Sequence, residues 1–232
     1  MKTNKISEIQ ELLKKDPKRL ELINHPVLKM FKSKQLTKKQ VEGILGQWYH
    51  PLDNFPFFLS SCIAHIRITE IQTFISDILY EELGCGLPED SHLRLYESTM
   101  ADQGYDSKAV SKAKPFAATE ELIEGYKRSS KKQNSALGFL YATEVADLAM
   151  VSSIGVAVGN NTNKKVAELP WVDIHVKQEP NHVNKVNSSL TVELTDEDQA
   201  EIITAAKQMW KLWIAFFEKI AEEIKLEQEV TV

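Results

Sequence analysis

The run "SALGFLYATEVADLAMVSSIGVAVG", residues 135–159, carries only two charged side chains, Glu144 and Asp147. It has helical period rather than the alternation of a half-buried strand, and it predicts a helix from about Asn134 to Val158. The rest of the chain follows the same period. Nine glycines and eight prolines give few turn signals, and these fall between helical stretches. The sequence therefore reads as all-α, one helical bundle domain over residues 1–232.

Outward from that run, helices are expected at about Lys5–Lys15, then a short one through Ile23, and one or two turns in "VLKMFKSK" at 27–34. Thr37 is placed to cap a long apolar segment that Pro51 and Pro56 should kink or break into a helix-turn-helix. Thr69–Leu83 follows and stops at "GCGLP", after which Pro88, Glu89 and Asp90 suit the first turn of the next helix. Further helices are expected at Ala117–Ser130, Asp173–Ser188 and Asp196–Lys225. The last carries an apolar stripe of Ile203, Met209, Trp210, Trp213 and Phe217.

A carboxylate in the middle of residues 135–159 is costly to bury unless it is paired, protonated or bound to metal. An arginine partner is the ordinary answer, but only Arg67, Arg94 and Arg128 lie outside the N-terminal region. Asp147, one turn beyond Glu144, reads as an outer group that orients a ligand, or as a plain helix acid.

A second segment, "WVDIHVKQEPNHV" at 171–183, holds two of the six histidines. At about 100° per residue, His175, Glu179 and His182 fall within about 60° of one another on a helix. Two imidazoles and a carboxylate on one face suit Fe²⁺, Mn²⁺ or Zn²⁺. The alternative is a solvated polar face. Pro180 inside the triplet predicts a bent or unsatisfied turn there.

A third, "LYEELGCGLPEDSHLRLYE" at 79–97, ends one helix on Glu81 and Glu82 and begins the next near His92. Gly84, Gly86 and Pro88 let the chain reverse, so a carboxylate and an imidazole can meet. Together, Glu82, His92, Glu144, His175, Glu179 and His182 exceed the three or four ligands one metal takes. They point to two metals with a carboxylate between them.

In this order and these helix contexts the residues resemble the heme-oxygenase-like diiron oxidases and oxygenases. That fold branch includes thiaminase-type (TenA-like) and pyrroloquinoline-quinone-synthase-type (PqqC-like) proteins, and the chlamydial death-domain-associating protein with its bacterial relatives. The resemblance spans about residues 40–220. It implies that Glu144 bridges two Fe(II) ions, Mn being an alternative, with Glu82 and His92 on one side and His175, Glu179 and His182 completing both sites. Glu81 stands as the alternative to Glu82. The resemblance further implies O₂ as cosubstrate and a peroxo-bridged diferric species. It also implies a small-molecule substrate with an amine, amino-acid or carboxylate group, an external electron donor unless the protein is itself consumed, and a homodimer. Two departures are Glu179, where the family often has aspartate, and Pro180, which could displace His182 and weaken the second iron.

The stretch "GQWYHPLDNFPFF" at 46–58 is a candidate pocket wall, with Gln47, Tyr49 and His50 as polar handles and Tyr49 as a candidate for substrate contact or radical transfer. Plain core is the alternative. A thiaminase-like relative needs a cysteine nucleophile, but Cys62 and Cys85 are the only cysteines and neither lies in residues 134–158 or the C-terminal half. A quinone-synthase-like relative needs many arginines, and a heme site needs a better placed histidine than His25. A non-catalytic helical interaction module is the rival of another class. The net charge of −5, the absence of a long basic block and the two cysteines argue against nucleic acid and a disulfide framework. The charged N-terminus and the lack of a long apolar run point to a cytoplasmic protein that does not engage a membrane.

Overall fold

The computed structural model describes residues 3–33, 35–190 and 193–224, with side chains from residue 9 onward. Among these residues there are eleven α-helices and no strand. Three short helices, α1 (Thr3–Lys14), α2 (Pro17–Ile23) and α3 (Pro26–Ser33), precede the long α4 (Lys38–His65). Then come α5 (Thr69–Glu82), α6 (His92–Asp102), α7 (Ser107–Ser111), α8 (Ala117–Ser129), α9 (Gln133–Thr162), α10 (Pro170–Ser189) and α11 (Asp196–Glu223).

The apolar run that decides the fold is α9, whose buried residues occupy every side of the helix from Ala136 to Gly159. It can be buried all round because α3, α10 and α11 pack along it while α4 and α8 approach from another side. The approach to α11 is close enough that a Cβ at Gly138 would sit 2.4 Å from the carbonyl oxygen of Ile202. Trp210 of α11 then donates its indole N–H to the carbonyl of Ala142 at 3.0 Å.

Several expectations change. Pro51 and Pro56 do not divide α4, which runs continuously through both. Pro51 and Pro56 remove the helical donors to the carbonyls of Gln47 and Leu52, four residues before each, while the Asn54 amide and the Ser60 hydroxyl add side-chain bonds to the carbonyls of His50 and Pro56. Pro88–Asp90 forms a 3₁₀ turn, and α6 begins only at His92. Helix α7 and the 3₁₀ turn Val166–Glu168 carry too few residues to leave a periodic signal. In the first two turns of α11 the fully buried isoleucine is Ile202, Ile203 being half-buried. Lys225, the expected end of α11, and Lys34 lie outside the described residues. Contrary to the sequence reading, α9 is long and apolar enough to cross a membrane by length and composition. Its most apolar window is 67% buried against the other helices.

Candidate metal centre

Four helices converge on the middle of α9. Glu82 arrives from the last turn of α5, His92 from the first turn of α6, Glu144 and Asp147 from α9, and His175, Glu179 and His182 from α10. The reversal between α5 and α6 depends on Gly84, whose φ is +86° and where a Cβ would lie 2.1 Å from the Leu87 carbonyl oxygen. The Cys85 N–H bonds the Tyr80 carbonyl and the Gly84 N–H that of Glu81, a glycine-terminated helix end that turns the chain back. Cys85 itself has a φ of +54° and is exposed, and no disulfide joins it to the buried Cys62.

Helix α10 begins at Pro170, with the Trp171 N–H held by the Thr99 hydroxyl of α6 at 3.1 Å. It continues through Pro180 to Ser189. Pro180 and Val176, whose carbonyl loses its helical donor, both face solvent, where water can replace that bond. His182 is therefore not displaced and is completely buried.

Each of the three histidines is held by one nitrogen from outside and presents the other inward. His175 donates Nδ1–H to the Trp171 carbonyl at 2.7 Å, and its Nε2 lies 3.9 Å from Asp147 Oδ2. His92 donates from Nε2 to Gln178 Oε1 at 2.7 Å, and its Nδ1 meets Glu82 Oε2 at 2.9 Å without hydrogen-bond alignment. His182 donates from Nε2 to Glu81 Oε2 at 2.9 Å. Its Nδ1 faces Glu144 at 3.2 Å, Glu179 at 3.6 Å and Glu82 at 3.9 Å. Outward hydrogen bonds that fix the tautomer of inward nitrogens are what ligating histidines require. Glu82 thus faces the cluster, whereas Glu81 stands behind His182, where Lys185 at 2.6 Å and the Asn181 amide at 2.9 Å also hold it.

The carboxylates are under-satisfied. Oε1 of Glu144, Oε2 of Glu179 and Oδ2 of Asp147 are buried with no hydrogen-bond partner. Among the described residues the ion-pair partner of Glu144 is His182, and Arg94 and Arg128 pair with Glu97 and Glu121 elsewhere. Burial above all raises Glu144 to about 7, with His182 opposing and Glu179 reinforcing. Burial, then Glu179, Glu144 and Glu82, also drives Asp147 upward. Burial alone would raise Glu82, but His92, His182 and His175 bring it down to about 2. Burial and the neighbouring His92 lower His175 to about 3, leaving it a neutral imidazole. Burial would lower His182, yet the facing carboxylates hold it near about 12.

Donor atoms of Glu144, Glu179 and His182 lie within 4.8 Å of one another, as do those of Asp147, His175 and Glu179. Orphaned carboxylate oxygens, inward-aimed imidazoles and this donor set fit divalent iron or manganese. Beside them is a cavity of about 30 Å³, walled opposite the carboxylates by Trp48, Pro51, Leu52 and Phe55 of α4 and Trp213 of α11.

Tyr49 is not in that wall. It lies toward Glu97 and Asp53 on the side of α6, because residues 48, 51, 52 and 55 take the cavity face. Gln47 instead ties α4 to the start of α8, accepting from the Phe116 N–H and the Thr119 hydroxyl, while His50 bonds the Ala113 carbonyl. The tyrosine in the wall is Tyr126 of α8, stacked on Phe58, with Thr143 beside it in the lining. Its only sequence signal was its place on the buried stripe of an amphipathic helix.

The family described as iron-containing redox enzymes, of heme-oxygenase-like fold, matches residues 42–214, and the chain belongs to it. The 4-chloro-allylglycine synthase of Streptantibioticus cattleyicolor is 24% identical over 170 residues, 72% of this chain and 65% of that protein. The match thus spans less than two thirds of that relative's own length. A CADD-like protein of unknown function from Nostoc punctiforme superposes with a TM-score of 0.77 at 17% identity, covering 95% of this chain and 97% of the other. A TenA homologue from Pseudomonas syringae gives 0.72 at 12% identity, over 93% and 92%. The last two establish the fold. The family establishes an iron-containing redox enzyme as the class.

Proposed function

We propose that the protein is an O₂-activating non-heme diiron oxidase or oxygenase acting on a small molecule with an amine, amino-acid or carboxylate group. The observation that carries the reading is the set of three inward-aimed imidazoles facing buried carboxylate oxygens that lack partners. Two ferrous ions bound there, Mn(II) being the alternative, would supply the electrons and open positions that reduction of O₂ requires. Glu82, His92, Glu144, His175, Glu179 and His182 would hold them.

The chain's own residues do the rest. The aromatic wall of Trp48, Phe55 and Trp213 keeps water out of the reacting side. The cavity has room for a diatomic molecule or a few waters, so a larger substrate enters by displacing side chains of the apolar wall. No lysine or arginine lines the cavity among the described residues, so a substrate carboxylate has only the metals as cations. Tyr126 and Thr143 are the hydroxyls at hand to orient a polar group. Re-reduction by an external donor, a homodimeric assembly and a cytoplasmic location belong to this reading; the free cysteines and the burial of α9 favour the last.

The test is oxygen consumption by anaerobically iron-loaded protein mixed with O₂. Wild type is expected to consume O₂ in proportion to its iron, and His175→Ala and Glu144→Gln to lose that uptake with helical content intact. Uptake unchanged in both variants sinks the assignment.

A further inference from the structure

Asp147 lies one turn beyond Glu144 on α9 and lines the same cavity. A carboxylate that only orients a ligating histidine accepts the proton of the histidine's outward nitrogen. That position on His175 is already taken by the Trp171 carbonyl. Asp147 instead faces Nε2, the nitrogen a metal would take, at 3.9 Å, and its Oδ2 is buried without a hydrogen-bond partner. Its carboxyl also meets that of Glu179, whose Oε2 is itself unpartnered in a side chain only 3% exposed. With no lysine or arginine lining the cavity among the described residues, and His182 on the far side of Glu179, two carboxyl groups and the imidazole of His175 converge on one point.

We propose that Asp147 is a metal ligand. Asp147, His175 and Glu179 hold one divalent cation, and Glu144, Glu179 and His182 hold the other, so that Glu179 is the carboxylate the two positions share. Glu82 and His92 stand beside both groups and complete the coordination. Two carboxylates with one imidazole favour Fe²⁺ or Mn²⁺ over cations that seek thiolate. The inference rests on the two-metal reading above.

The probe is Mn²⁺ alone, titrated calorimetrically into metal-free protein, with bound metal per chain counted after removal of loose ions. Wild type, Asp147→Asn, Asp147→Ala and the exposed control Asp173→Asn are compared, helix content and melting being followed in each. Wild type and Asp173→Asn are expected to bind two ions. Both Asp147 variants are expected to keep one and to bind the second about 10-fold or more weakly. Asn preserves the shape of the side chain, so it carries the test if Ala perturbs folding. Two ions at wild-type affinity in both Asp147 variants overturn the assignment of Asp147 and leave the two-metal reading standing. Fewer than two in wild type overturns that reading, and this inference with it.

Discussion

The two walls of the cavity are built on opposite principles. On the side of α4 and α11, Trp48 stacks against Phe217 and lies 5.4 Å from Trp213, and Trp213 meets Phe216 edge-on. Each such side chain contributes about 1.5–3 kcal/mol by leaving water, with about 0.5–1.5 kcal/mol more per aromatic pair. On the side of α5, α6, α9 and α10, four carboxyl groups and three imidazoles leave water and recover only part of their hydration through one another. The first wall stabilises the fold. The second costs stability in the metal-free chain, where four carboxyl groups share the charge of His182, and it persists because α9 is fixed on its other faces by α3 and α11.

The comparison breaks most visibly at the aromatic wall. Trp213→Ala is expected to lower the stability of the metal-free chain by about 3–5 kcal/mol, measured by denaturant unfolding. The molecules still folded should retain their metals. Glu144→Gln should do the reverse: metal-free stability within about 1 kcal/mol of wild type, because a carboxyl that is about half protonated at neutrality gives way to an amide of the same shape. Metal at 100 times its dissociation constant should then stabilise wild type by about 2.7 kcal/mol per site and the variant by less, since one of its two triads has lost a carboxylate.

Behind the polar wall, Glu81 receives His182, Asn181 and Lys185 and so fixes which nitrogen of His182 faces inward. Glu81→Gln and Lys185→Met are expected to weaken metal binding about 10- to 100-fold in titration, with smaller changes in metal-free stability. The pH dependence should be the smallest effect. Because burial raises Glu144 to about 7, its protonated form favours the folded state. That contribution is complete below the ordinary value of 4.5 and is lost as pH rises through about 7. The stability difference between metal-free wild type and Glu144→Gln should therefore swing toward the variant as pH rises from 4.5 to about 7. Metal loading near neutrality should also release protons, since Glu144 and His182 must give theirs up.

Most of the polar wall was readable in the sequence because its signals are local. Glu144 stands out against an apolar helix, and His175, Glu179 and His182 share a face by spacing alone. What escaped depends on how helices meet. The α5–α6 reversal turns Glu82 rather than Glu81 inward, and the rotation of α4 puts Pro51 in the cavity and Tyr49 outside it. Asp147 read as an outer group that orients a ligand or as a plain helix acid, and only the approach of α10 brings His175 and Glu179 to it. The prolines were misread for a related reason. Packing against α5, α7 and α8 holds α4 as one helix through Pro51 and Pro56, and the carbonyl that Pro180 orphans in α10 faces water, neither of which a propensity argument can weigh.

The most direct measurement is iron per chain after anaerobic loading with Fe²⁺ and removal of loose ions, in wild type and Glu144→Gln. Two polar triads that share Glu179 predict about two irons in wild type and a marked loss in the variant. No iron retained by the folded wild-type chain would contradict the account and leave the polar wall as a buried network without a metal.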